Sequence, residues 1–323
     1  MLTEPANKDR FLVQALRTIA AERGIEFSSF SHGWILRLHK DGVSHYIYGY
    51  NFDFNPTAAA SIANDKSALA DVLQHHKVPH VEHTLFLAPK LSKYLGTTGN
   101  WSRAMQFVAR NSYPIVCKTN QGTSGNAVFK IKNQTELEAA FQNIHTSARG
   151  LALSPFYSID AEYRIILLQS SALLCYQKER PLVTGDGHST FFELVQANCS
   201  HDPELFEAAM EEPGFPPEEI PGKGQQIPLV WKHNINKGAI PRFALDPETR
   251  RDIINLAQAA CAATGMQFAA VDVIRTGGEL KIIELNAGIS LEHISQFSDE
   301  GRRLAFEVYN RVVEAMFGLE PQP

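Results

Sequence analysis

The sequence is poor in cysteine and has no excess of positive charge. Its 323 residues include four cysteines with no CxxC pair, so neither a structural zinc site nor a disulfide framework is predicted. Lys and Arg total 30 against 35 Asp and Glu, which gives a net charge of −5. The electrostatic attraction that draws proteins to phosphate backbones is therefore missing. We expect no nucleic-acid partner and a reducing compartment.

Long hydrophobic runs are also absent. No stretch approaches the roughly 18 consecutive apolar residues of a membrane span, and the N-terminal MLTEPANKDR mixes both charges without an apolar segment after it. We therefore expect no membrane partner and a cytoplasmic location. Hydrophobic residues nevertheless make up 44% of the chain, which is enough to bury a sizeable core. The length indicates about two domains or one unit with several lobes.

Apolar periodicity and turn residues predict a mixed α/β (α+β) fold. Helices are expected to begin at Asp65 and at Asp246-Pro247, because a short acidic side chain can cap the first helical turn and proline is tolerated at its first position. The dipeptides Asp41-Gly42 and Gly277-Gly278 stand between apolar runs, which predicts two β-hairpins. The stretch from about 179 to 240 is rich in Gly, Pro and charge, and we interpret it as a long loop and a candidate lid.

Three oxygen-bearing side chains form the group most typical of a metal site. Glu284 and Asn286 are two residues apart on a predicted strand, so they share a face, and the second hairpin brings Asp272 alongside them. Two carboxylates and an amide carbonyl suit Mg2+, which keeps some of its waters and shares its shell with nucleotide phosphates. Spacing alone leaves open a second interpretation, in which these are solvated positions on an exposed sheet face.

A second candidate group surrounds Lys118, at the end of the predicted strand in YPIVCK. The loop NQGTSGNAV follows, and its glycines and hydroxyls can offer backbone N–H groups to phosphates beside the lysine charge. The segment lacks the GxxxxGK[ST] pattern of a Walker A motif. Taken alone, such a loop is more often an ordinary hairpin turn.

The spacing of the other charged residues does not indicate a function for them. Arg164 and Lys178 flank the strand pair in EYRIILLQSSALLCYQK, and spacing alone favours two solvated charges. Four histidines form a visible cluster between His75 and His83. Pro79 interrupts the helix between the two pairs, so surface histidines are favoured over a zinc site.

Six motifs in a fixed order give the chain a family resemblance that none of them gives alone. They are DK at the start of a helix, YPIVCK before a glycine-rich loop, EYR, GDG, HNINKG and D…ELN, between about Ser61 and Phe297. Together they resemble the ATP-grasp superfamily. The nearest likeness is to the ATP-grasp segment of cyanophycin synthetases and bifunctional glutathione synthetases, and D-alanine–D-alanine ligases are more distant. The run VTGDGHSTFFEL closely resembles the pattern VxGDGxSTIxEL of the first group.

The resemblance implies an ATP-grasp fold, with ATP held between two α/β lobes. The expected lobes are a small N-terminal one at 1–60, a nucleotide-covering one with a Gly-rich flap at 61–157, and a C-terminal one with the metal site at 158–323. The implied activity is ATP-dependent ligation of a carboxylate to an amine through an acylphosphate, with release of ADP. The expected cofactors are ATP and Mg2+, with Mn2+ as an alternative ion. The expected partners are an amino acid or short peptide as substrate and a second copy in a homodimer.

The motifs also imply nucleotide-binding roles by position. Lys66 and Lys118 match the two lysines directed at the ATP phosphates, and Glu162 matches the carboxylate expected to bind the ribose hydroxyls. The remaining positions belong to the mobile flap and to the NxxxGG element, and they are Gly122, Thr123, Ser124, Gly125 and Asn234.

Metal and catalytic roles follow in the same way. Asp272, Glu284 and Asn286 match the family's metal ligands. Arg164 matches the arginine of the YR motif, and Lys178 stands where cyanophycin synthetases have an arginine. Both are implied to hold the oxyanion or the donor carboxylate.

The sequence departs from the family pattern just after Asn286. The family has an NxxPG turn that shapes the acceptor pocket, whereas this chain reads NAGIS, and Ala239 replaces the second glycine of NxxxGG. About 60 residues precede the DK helix, fewer than related ligases often have.

Three alternatives to the ligase of free amino acids remain open: a phosphotransferase, a nucleotide-binding module without turnover, and a ligase acting on a peptide.

Overall fold

The computed structural model of the chain describes residues 9–88, 100–121, 128–147, 150–211, 213–231 and 239–320. The chain forms two units. The first comprises Met1–Asp160, Arg164–Cys175 and Asp246–Pro323, and the second comprises Ala161–Tyr163 and Tyr176–Leu245. Among the described residues, no helix is both long enough and apolar enough to span a bilayer.

Helices and strands both occur throughout the chain, in agreement with the mixed α/β fold that the periodicity predicts. The described helices are α1 (Phe11–Arg23), α2 (Thr57–Asn64), α3 (Lys66–His75), α4 (Asn100–Asn111), α5 (Gln134–Ser147), α6 (Phe191–Asn198), α7 (Pro203–Glu211), α8 (Pro247–Thr264), α9 (Glu292–Phe297) and α10 (Asp299–Phe317). The described strands are β1 (Glu26–Phe30), β2 (Ile35–Lys40), β3 (Val43–Tyr48), β4 (Asn51–Phe52), β5 (Thr84–Leu87), β6 (Ile115–Thr119), β7 (Val128–Ile131), β8 (Gly150–Pro155), β9 (Ala161–Leu168), β10 (Ser171–Glu179), β11 (Leu182–Thr184), β12 (Gln226–Pro228), β13 (Ile240–Arg242), β14 (Phe268–Thr276) and β15 (Glu279–Asn286).

Three sheets organise the first unit. Strands β1 to β4 pair in chain order, with antiparallel neighbours. A second antiparallel sheet has the order β5-β8-β6-β7, and its apolar face packs on α4 and α5 around buried Phe86, Ile115 and Leu151. The third sheet includes β10, β9, β14 and β15 as successive neighbours, with β14 and β15 joined as an antiparallel hairpin. This last sheet provides most of the acidic candidates.

The local signals in the sequence produce the expected caps and turns. The carboxylates of Asp65 and Asp246 accept hydrogen bonds from the backbone N–H of the third residue of α3 and of α8. Asp41 and Gly42 both adopt positive φ angles, of 48° and 81°, as a type I′ hairpin turn requires. The Gly277-Gly278 turn does the same at 55° and 83°.

The second unit corrects one expectation. The stretch from about 179 to 240 is interpreted above as a long loop, but much of it is folded. It contains α6, α7 and the antiparallel pair β11–β12, which enclose a small core that includes Val183, Phe191 and Ile227. A full capping box at Thr190 and Glu193 starts α6. The high Gly and Pro content therefore belongs to the turns between these short elements.

Candidate functional site

The acidic candidates lie together on one face of the β14–β15 hairpin. Asp272 is paired directly with Glu284, and Asn286 follows two residues later on the same strand. A β-bulge produces this pairing: from Thr276 to Val273 the partners follow the two-residue turn, and the register then shifts by one at Asp272. Without the shift, Asp272 would face Ile283. The amide of Asn286 donates to the Glu284 carboxylate over 3.3 Å.

Asp272 is held by an arginine from a neighbouring strand. Arg164, on β9, donates from Nε to Oδ1 at 2.7 Å and from an amino group to Oδ2 at 2.6 Å, which is a bidentate ion pair. Asp272 is 1% exposed. The interpretation of these residues as solvated charges is therefore wrong for Asp272 and for Arg164. Burial without a partner would be costly for a carboxylate, and the guanidinium holds this one in a fixed orientation.

The donor set fits a hard divalent cation. Two carboxylates and one amide carbonyl are oxygen ligands of the kind that Mg2+ binds through few protein groups, with waters or phosphate oxygens completing the shell. The NH2 end of the Asn286 amide is turned to Glu284, so its carbonyl oxygen is the end suited to a metal. Among the described residues, no group of three His, Cys, Asp or Glu side chains could hold a metal.

The two candidate lysines lie at a junction between α3 and β6. Lys66 is the first residue of α3, and Lys118 is the fourth residue of β6; both are buried. The backbone N–H of Lys66 donates to the carbonyl of Asn120 at 3.1 Å, and an isolated bridge joins Asp65 to Gln121. Residues about 50 positions apart in sequence thus meet next to the glycine-rich loop.

His83, one of the four histidines that the sequence predicts at the surface, interacts electrostatically with both lysines. It is 5% exposed, so the expectation of surface histidines is wrong at this position. Burial, followed by the charges of Lys118 and Lys66, lowers the pKa of His83 well below its ordinary value. The imidazole is therefore neutral beside two buried ammonium groups.

The second unit brings Glu162 and Lys178 together. The Lys178 ammonium donates to Glu162 Oε1 at 2.6 Å, and both side chains are buried. The sequence interpretation of Lys178 as a solvated charge is therefore also wrong. The remaining nucleotide-binding candidates, Gly122, Thr123, Ser124, Gly125 and Asn234, lie outside the residues that the structure describes.

The NAGIS segment after Asn286 is anchored from several sides. The buried hydroxyl of Tyr309, on α10, donates to the carbonyl of Ile289 and accepts from the N–H of Leu291, both at 3.2 Å. Ile289 also donates its N–H to the carbonyl of Tyr50 at 3.0 Å. Glu292 accepts from the first two N–H groups of α1. A turn without the family's proline is thus held by hydrogen bonds from distant elements.

Comparison with known proteins gives distant relatives. No protein-family model matches the chain. It is 23% identical over 293 residues to cyanophycin synthetase from Trichormus variabilis, and 22% identical to the corresponding protein from Nostoc sp.. Each match covers 85% of this chain but only 31% of the relative, so the chain spans about a third of the length of these proteins.

Comparison with solved structures identifies the fold of this chain. Bifunctional glutathione synthetase from Pasteurella multocida is similar with a TM-score of 0.58 and 18% identity, over 97% of this chain and 44% of that one. D-alanine–D-alanine ligase from Bacillus anthracis is similar with a TM-score of 0.53 and 11% identity, over 82% of this chain and 69% of that one. These neighbours are ATP-grasp ligases, and the chain has the ATP-grasp fold.

Proposed function

We propose that the protein is an ATP-dependent carboxylate–amine ligase. The observation that supports this most directly is the buried Arg164–Asp272 pair beside Glu284, an ordered oxygen-donor group in a chain with the fold of such ligases. The proposed substrates are an amino acid or short peptide and a second amine. We extend the proposal to a cytoplasmic enzyme, to a homodimer, and to lobes at 1–60, 61–157 and 158–323.

The proposed roles follow from the side chains. Lys66 and Lys118 would hold the phosphates of ATP, because two buried lysines on elements that are joined at one junction attract a polyanion strongly. Glu162 would contact the ribose. The Gly122–Gly125 loop and Asn234 are proposed to complete the nucleotide site.

Asp272, Glu284 and Asn286 would hold Mg2+ or Mn2+, and the bound ion would neutralise charge on the phosphates. Arg164 holds the Asp272 carboxylate in a fixed orientation through two hydrogen bonds. Arg164 and Lys178 are also proposed to stabilise the oxyanion or the donor carboxylate, where a fixed positive charge lowers the barrier to acyl transfer.

The proposed reaction has two steps. The substrate carboxylate attacks the γ-phosphorus of ATP, which breaks the bond to ADP and forms an acylphosphate. The amine then attacks the acyl carbon, an amide forms, and phosphate and a proton leave. The protein contributes position and charge in both steps, with little covalent chemistry of its own.

The test is a product analysis with purified protein, ATP, Mg2+ and pooled amino acids. We expect phosphate release that depends on an acid–amine pair, together with a new amide detected by mass spectrometry. Glu284→Gln should lower this rate at least tenfold, because even groups that only orient a metal ligand are worth about 10- to 100-fold. Glu279→Gln is the matched control. Glu279 lies on the same strand, but its side chain is exposed and pairs with Lys281.

Other products would identify the rival functions. ADP formation without free phosphate, with a phosphorylated acceptor, would mean a phosphotransferase. Nucleotide binding without turnover, including with peptide substrates, would favour a regulatory module. Either result would overturn the ligase proposal.

A further inference from the structure

We propose that Asn120 is a positioning residue that sets Lys66 in register with Lys118 and so forms the phosphate-binding lysine pair. The inference rests on the nucleotide-binding part of the proposed function. It adds a residue that carries no charge, does not belong to the lysine motifs, and acts through Lys66.

The backbone of Asn120 forms hydrogen bonds with both β8 and the start of α3. Its N–H donates to the carbonyl of Gly150 on β8, and its carbonyl accepts from the N–H of Lys66, each at 3.1 Å. The first bond continues the sheet beyond β6, and the second fixes the start of α3 to the same point. Lys66 and Lys118 are therefore related through two residues of β-structure and one hydrogen bond.

The side chain of Asn120 completes the attachment. Its Oδ1 accepts from the N–H of Ser67 at 3.1 Å. The amide also hydrogen-bonds the carboxylate of Asp65, which caps α3. Two of the N–H groups that a helix leaves unpaired at its start are thus satisfied by this one residue. Asn120 is 5% exposed, so water cannot easily replace these bonds.

The consequence is a fixed separation between the two backbone positions that carry these positively charged side chains. Two ammonium groups repel each other, and without an external restraint they would move apart when no anion is bound. The junction prevents the backbone of the two lysines from moving apart, because the first residue of α3 cannot leave the end of β6 unless the Asn120 bonds break. Two lysines whose backbone positions are already fixed bind phosphate at a smaller ordering cost than two lysines on elements that move independently.

The test uses AMP-PNP, a non-hydrolysable ATP analogue, and adenosine, which has no phosphate, each titrated by calorimetry. In Asn120→Ala we expect AMP-PNP to bind about tenfold more weakly, an amount that corresponds to about 1.4 kcal/mol, while adenosine changes less than about twofold. Asn198→Ala is the control. Asn198 lies in α6 of the second unit, where its side-chain amide donates to the backbone carbonyl of Leu194, and its replacement should change neither titration.

A double-mutant cycle checks that Asn120 acts through Lys66. On a Lys66→Met background, Asn120→Ala should cause no further loss of AMP-PNP affinity. Equal losses for AMP-PNP and adenosine, or additive losses in the cycle, would overturn the proposal. Asn120→Ser, which leaves a hydroxyl and a smaller cavity, provides the same tests should the alanine variant not fold.

The result is separable from that of the ligase assay. Wild-type protein that binds AMP-PNP but makes no amide would end the ligase proposal and leave this inference decided by the titrations. An active ligase whose Asn120→Ala variant binds AMP-PNP normally would overturn the inference alone. Failure of the wild-type protein to bind AMP-PNP would overturn both.

Discussion

Two charged regions of the first unit are held in place in different ways. At the acidic pair, which we define as Asp272 and Glu284, the buried Asp272 carboxylate is fixed by a bidentate ion pair with Arg164. At the α3–β6 junction, neutral hydrogen bonds to Asn120 and the carboxylate cap of α3 together fix the position of Lys66. One region depends on a single strong partner, and the other on many modest ones.

The difference determines how each region should fail. Removing one member of a buried ion pair leaves the other as an uncompensated charge, which costs more than the pair contributes. Removing one neutral hydrogen bond among several costs about 1 kcal/mol, because the remaining bonds keep the geometry. We therefore expect one substitution at the acidic pair to cause a large loss of stability, and one substitution at the junction to cause a small loss.

The largest effect is predicted for Arg164→Met. Asp272 would remain buried without its guanidinium, and we expect the free energy of unfolding to fall by about 3 kcal/mol, at the lower end of the range for broken buried pairs because Arg164 is one quarter exposed. The measurement is denaturant unfolding at pH 7. Arg242→Met provides the contrast, since its pair with Glu179 is largely exposed. Equal losses in the two variants would contradict the comparison.

A pH dependence is predicted for the junction through His83. Burial and the charges of Lys118, Lys66 and His80 hold the pKa of His83 well below its ordinary value. Between that lowered pKa and about 6.5, the unfolded chain binds a proton that the folded chain does not. Stability should therefore fall as the pH drops below about 6.5, by at most about 1.4 kcal/mol per pH unit, and His83 should contribute no slope above it.

The corresponding experiment is urea unfolding of wild type and His83→Gln between pH 7.5 and 5. We expect a shallower pH slope in the variant. His201→Gln, which changes an exposed histidine, should keep the wild-type slope. A slope that is the same in all three proteins would show that the burial of His83 has no part in acid stability.

The sequence alone predicts those features of these regions that depend on neighbours in the chain. A cap at Asp65 and a tight turn at Gly277-Gly278 follow from local backbone chemistry, and both are confirmed. The alignment of Asp272 with Glu284 is confirmed as well, but for a reason that spacing does not contain: the register set by the turn would pair Asp272 with Ile283, and a β-bulge moves it by one residue.

Long-range features could not be predicted in this way. Arg164 and Asp272 are 108 residues apart, and their pairing depends on which strands become neighbours in the third sheet. The burial of His83 depends on packing against the lysine-bearing elements. A solvated charge and a buried ion pair look alike in sequence, because burial is a property of the folded chain.

The smallest effect is predicted at the cap of α3, and it tests whether the junction affects binding as well as stability. Asp65→Ala removes the hydrogen bonds that the Asp65 carboxylate accepts from Ala68 and Ser67, and also those from the side chains of Asn120 and Gln121. We expect a loss of about 1 kcal/mol in the free energy of unfolding. Asp246→Ala removes the equivalent cap of α8. Only the first should weaken AMP-PNP binding, by less than the tenfold expected for Asn120→Ala, because Asn120 still holds the N–H groups of Lys66 and Ser67. An equal decrease in both cap variants would mean that nucleotide affinity follows general stability, and the junction would then lose its distinct role.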